Sequence, residues 1–340
     1  MGINRVPIRK RGLFLGIIDS LSAGFRFVGT RVELLLIPIL LDLVLWLAPR
    51  FSIAPLLQSV EEQALASATA PGATPDLLAL TEEMVRTLDL AADRFNMLSA
   101  LANQSLLHVP SLIATLSVDS GLQSVRTVSD MGIFAIGLIL LTLAGIWIGV
   151  LYLNMLARRL PLGEGSKTLT LSEFLESVFR HWLWLIVFVL GLGVALLLLS
   201  IPVFAILLIM MAISPSLASG AVVMMTGAVL ALLFYMYFVV VGLVLDNLSL
   251  PSAVWRSMLL VRYNFWPTIG FIVLTFVISS GFYQVWMLLV QTVPNPAVLA
   301  IAVLGNAYIG TGLAMALLVF YRTRLLRTAE ELKSSAQPGK

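Results

Sequence analysis

The chain has 340 residues, of which 59% are hydrophobic and 11% charged, with a net charge of +3 and no cysteine. A soluble globular chain carries about a quarter charged residues, so this composition excludes one and points to a multi-pass membrane protein. The missing cysteines exclude disulfides, thiolate nucleophiles and cysteine-ligated metals. The small basic excess reads as topology-setting arginines and not as a nucleic-acid surface, because no basic cluster is interleaved with aromatics.

Residues 1–31 are expected to form a cytoplasmic basic tail followed by an amphipathic helix. Leu13, Phe14, Ile17, Ile18, Leu21, Phe25 and Val28 recur at helical spacing, with Asp19, Ser22 and Arg26 opposite. Such a helix either lies in the membrane interface or packs against the bundle. The first span, residues 32–48, reaches roughly 25 Å, short for a hydrocarbon core of about 30 Å.

Residues 49–130 are rich in acids and read as an extracytoplasmic helical insert. A flexible break, SATAPGATP, precedes a helix start at Thr74-Pro75, where a cap residue meets proline at a first helical position. A second break falls near Pro110.

The second span is 131–153, where Gly145 and Gly149 allow close helix approach. A cytoplasmic loop at 154–181 carries another interfacial helix. The third span, 182–213, is too long to cross upright, and Pro202 is its expected bend. Residues 214–219 are expected to turn before the fourth span, 220–245. An interfacial helix at 246–264 leads to the fifth span, 265–290. The sixth span is 297–321, and a cytoplasmic tail covers 322–340. The predicted fold is therefore all-α and polytopic, with six transmembrane helices.

With six spans, 17 of the 21 lysines and arginines fall on the side that holds both termini. That bias places the termini in the cytoplasm and the insert outside.

One stretch, at 245–271, reads LDNLSLPSAVWRSMLLVRYNFWPTIGF. Its Ala253, Ser257, Asn264, Phe265 and Trp266 resemble an interfacial motif of uncharacterised bacterial multi-pass proteins. Those proteins are related to the membrane domain that precedes some glycerophosphodiester phosphodiesterases. Phe320, Tyr321, Arg322 and Arg324 resemble the way that group ends its last span. An acidic residue often found just after the aromatic is absent here, and the large insert departs from the group's compact form. The resemblance implies a repeated helix-hairpin membrane fold and transfers no catalytic residues or hydrolase activity.

Asp42 is the sharpest candidate for chemistry, since it falls about 15 Å into the first span, where an ionised carboxylate is costly. It is expected either to serve as a proton or cation site or to be a hydrogen-bonded structural carboxyl. Tyr283, Gln284, Asn306, Tyr308 and Thr311 are candidate partners, or equally interhelical polar glue. Asp246 is expected to pair with Arg31, Arg256 or Arg262. His108 and His181 fall on opposite sides of the membrane in this topology and cannot share a metal, so no metal or cofactor is expected. Two functions compete. One is a non-enzymatic scaffold, an assembly or lipid-organising factor, or an accessory subunit meeting a membrane-protein partner through residues 50–130. The other is a transporter or permease-like subunit using Asp42.

Overall fold

A computed structural model describes residues 16–70, 75–102, 109–116, 124–160 and 170–335. The basic tail, residues 71–74, His108, Lys167 and the last five residues lie outside them. The chain is an all-α polytopic membrane protein. Five helical stretches are long and apolar enough to cross a membrane: Met131–Arg159, Leu171–Ile213, Ser216–Leu245, Phe265–Thr292 and Pro296–Glu330. The structure divides into two compact units.

The first unit holds α1 (Ile17–Gly29), α6 (Leu171–Ile213), α7 (Pro215–Tyr235), α8 (Val239–Leu245) and α9 (Leu250–Tyr263). The end of α5 (Met131–Arg159), the start of α10 (Phe265–Thr292) and the end of α11 (Pro296–Ser335) complete it. Here α1 buries Ser20, Leu21, Gly24 and Val28 and leaves Ile18 exposed. Gly24 permits a close approach to α11. A Cβ there would fall 2.6 Å from the Gly312 carbonyl oxygen and the Ala316 nitrogen. The aromatic core stacks Phe271 on Phe320 at 4.5 Å between ring centres, with Phe238 beside Phe320 at 6.2 Å.

Expected as an interfacial helix plus a separate span, residues 171–213 form one helix that continues through Pro202. Its start is set by a capping box, in which the Glu173 carboxylate accepts from the Thr170 N–H at 2.7 Å and the Thr170 hydroxyl accepts from the Glu173 N–H. At 1.5 Å per residue α6 is about 65 Å long, twice a hydrocarbon core, so its polar first turns stand clear of the apolar layer. The expected turn at 214–219 shrinks to Ser214, because Pro215 opens α7 at a position where proline is favoured. From 189 to 214 none of the residues is buried. A helix apolar on every side needs lipid or another protein around it.

The second unit holds α2 (Leu36–Leu47), α3 (Ala54–Ala68), α4 (Pro75–Arg94), most of α5, the end of α10 and the start of α11. The first apolar run is a 3-10 turn at Val32–Leu35 followed by the twelve residues of α2, about 18 Å of helix. Pro38 accounts for this division. It has no N–H to give the Leu34 carbonyl and fits an α-helix only in the first turn, so the α-helical register begins at Leu36.

The insert is not purely helical, since Arg50–Ser52 (β1) and Val125–Thr127 (β2) pair as a short parallel ladder that closes its base. Asn96 fastens that base. Its side-chain oxygen accepts from the Phe51 N–H at 3.2 Å and caps the 3-10 turn at Met97–Leu101 through the Leu98 N–H. α4 begins at Pro75, as the cap signal predicts.

Glu61 is buried where α3 packs on α4, and its Oε1 has no hydrogen-bond partner among the described residues. Burial, with the neighbouring Asp89 carboxylate adding repulsion, raises its pKa above the ordinary glutamate range. The folded hairpin therefore holds this proton more tightly than the unfolded chain does. Its stability is full below the ordinary glutamate range and falls as pH rises through the raised pKa. Glu61→Gln is expected to match the parent near pH 4 and to slow amide exchange in α3 and α4 relative to it near pH 7. Hydrogen exchange at the two pH values measures the difference.

Candidate functional site

Ala253, Ser257, Asn264, Phe265 and Trp266 sit where three helix ends meet. Between α7 and α8 the helix is interrupted at residues 236–238, which frees backbone groups that water would have to satisfy. The Ser257 hydroxyl takes up two of them, donating to the Tyr235 carbonyl at 2.7 Å and accepting from the Phe238 N–H at 3.1 Å. One turn earlier on α9, Ala253 is buried against Gly242 of α8, so the two helices lie close. Asn264 marks the α9–α10 junction. Its side-chain NH2 donates to the Leu260 carbonyl and to Thr328 of α11, both at 3.1 Å, while its own carbonyl accepts from the Thr268 hydroxyl at 2.7 Å. Phe265 meets Phe234 edge-on, and Trp266 is 77% exposed. Apart from Trp266, every member of the motif joins helices.

Beside it lies a polar knot. The Asp246 carboxylate, 9% exposed, accepts from Arg256 at 2.7 Å and from Arg322 at 2.9 Å, and also from the Tyr321 hydroxyl at 2.7 Å. Arg256 was among the expected partners; Tyr321 and Arg322 are new ones. The next residue, Asn247, adopts φ 55°, a left-handed conformation that asparagine tolerates better than most residues. Its side-chain oxygen accepts from Arg180 at 2.7 Å and stands 2.8 Å from His181 Nε2. His181 Nδ1 lies 3.1 Å from the Asn154 side-chain oxygen, and the Asn154 NH2 donates to the Val150 carbonyl at 2.9 Å. Arg158, one turn on from Asn154, lies with its guanidinium 4.1 Å from the Phe174 ring centre. One run of contacts thus links α5, α6, the turn before α9, α9 and α11.

In the second unit, Asp42 is fully buried on α2 and is met by residues 111–113. The Ser111 hydroxyl and the Ile113 N–H donate to one carboxylate oxygen, the latter at 3.1 Å, and the Leu112 N–H donates to the other at 3.0 Å. This is an N-cap supplied from a distant helix: the carboxylate closes the open donors of the turn that runs on to Leu116. The turn then inserts Leu112 and Leu116 against Ala302, Val303, Tyr283 and Trp286.

Of the residues expected to partner Asp42, Tyr283 reaches only the same segment, donating to the Thr115 carbonyl at 3.4 Å. Gln284 is exposed, Asn306 and Tyr308 are half-buried on α11, and Thr311 is buried there. Ser111, Asn154 and Asn247 escaped the sequence reading, since a lone serine or asparagine carries no spacing signal. Among the described residues no group of three or more histidines, cysteines or acids could hold a metal ion.

No family model, curated protein or solved structure matches the chain.

Proposed function

We propose that this chain is a non-enzymatic membrane scaffold: an assembly or lipid-organising factor, or an accessory subunit of a membrane complex. The observation that supports it is how the apolar and polar groups are spent. Asp42, Asp246, Ser257 and Asn264 are tied to the chain's own backbone and side chains, whereas the far end of α6 and the facing length of α7 present bare apolar surface. In this reading the α6–α7 hairpin meets lipid or a neighbouring subunit. Both termini lie in the cytoplasm of a bacterial cell, and residues 50–130 meet a partner outside. The membrane framework then corresponds to the one that precedes some glycerophosphodiester phosphodiesterases.

The competing transporter reading needs Asp42 as a carrier, and one variant separates the two. In proteoliposomes Asp42→Asn is expected to leave proton flux at the parent's level, and a flux abolished by that change would favour transport. Deleting residues 66–107 is expected to release any subunit that co-purifies with the parent from native membranes, and an association that survives the deletion would count against the accessory role.

A further inference from the structure

His181 is flanked by two oxygens. Nδ1 faces the Asn154 side-chain oxygen at 3.1 Å and Nε2 faces that of Asn247 at 2.8 Å. A neutral imidazole has one N–H and one lone pair, so it matches one acceptor and opposes the other.

Neither asparagine can remedy this by turning its amide over. Asn154 already donates through its NH2 to the Val150 carbonyl at 2.9 Å, and a flip would set oxygen against oxygen there. Asn247 already accepts from Arg180 at 2.7 Å, and a flip would set its NH2 against the guanidinium. Two fixed acceptors facing two ring nitrogens are matched only by the imidazolium, in which both nitrogens donate.

We propose that His181 is a proton-binding site whose second proton completes a bridge from Asn154 on α5, through α6, to Asn247 in the turn before α9. The charged groups that face the ring are Arg180 on α6 and Arg158 on α5. Burial of the ring weighs most against the second proton and the two cations add to it, while the Asn247 oxygen favours it, so the bridge closes on the acid side of the ordinary histidine range. The bridge ends one residue from Asp246, which holds Arg256 on α9 and Tyr321 and Arg322 on α11. Proton occupancy at His181 is thereby coupled to the contact that fastens α9 and α11. The bridged turn is complete below the titration midpoint of His181 and loses one tie as pH rises through it.

The chain has two histidines, so ring-15N labelling of the full chain in lipid nanodiscs gives two sets of signals, and His108→Gln assigns them. The expected result is a His181 ring with both nitrogens protonated near pH 5 and one deprotonated near pH 8. Amide exchange at residues 246–249, corrected for intrinsic rates, should rise about threefold or more across the same midpoint. A ring that carries a single proton throughout that range overturns the proposal. So does exchange at 246–249 that ignores the titration. Both readouts use the parent sequence, so neither depends on whether a His181 variant folds.

Discussion

Asp246→Ala is expected to destabilise the first unit by about 3 kcal/mol, toward the low end of the cost of breaking a buried ion pair. The carboxylate is 9% exposed and serves three donors on two helices, so its removal strands the Tyr321 hydroxyl and leaves two guanidinium groups facing each other. The figure stays low because Arg256 and Arg322 are 37% and 29% exposed and recover some hydration. For the same reason Arg256→Gln and Arg322→Gln should each cost only about 1 kcal/mol. Asp246→Asn keeps the shape and one acceptor oxygen and should fall between them. Amide exchange across α8, α9 and the end of α11 measures the losses. If Asp246→Ala exchanges no faster there than the single arginine variants, the carboxylate is not the centre of the knot.

What could be read from the sequence follows the range of the interactions. Apolar runs, with the length a bilayer demands, place the five long helices, because that signal is local and large. The Thr74-Pro75 cap likewise locates the start of α4. The fused α6 was missed although its signal is local: Thr170 and Glu173 have capping-box spacing, and a helix starting there needs no break before Trp182. The ladder between β1 and β2 was not legible, since three residues each, paired across the insert, leave no period to detect. Ser257 and Asn264 stood out only through a resemblance, while their task, closing helix ends on α7, α8 and α9 and tying α9 to α11, depends on contacts far along the chain. Asp42 shows the same limit. Its depth in an apolar run marks it as costly, but the groups that satisfy it lie about 70 residues away in a segment with no pattern of its own.

That segment gives the second large effect. Asp42→Ala removes the acceptor for the Ser111 hydroxyl and for the N–H groups of Leu112 and Ile113 at once. A hydrogen bond to a charged group contributes about 1.5–3 kcal/mol, and Leu112 is fully buried, so its N–H has no water to turn to. A cost of about 3 kcal/mol is expected once the segment relaxes. Relaxation would withdraw Leu112 and Leu116 from Ala302, Val303 and Trp286, so the loss should spread from residues 109–116 into the ends of α10 and α11. Asp42→Asn retains one acceptor and turns an NH2 toward a donor, for a cost of about 1–2 kcal/mol. Ser111→Ala should resemble it, because that hydroxyl also accepts from the Ala114 N–H at 3.1 Å. Hydrogen exchange ranks the three, with Asp42→Ala fastest at 109–116. Exchange in that variant as slow as in the parent would remove the capping role and return Asp42 to the groups free for chemistry.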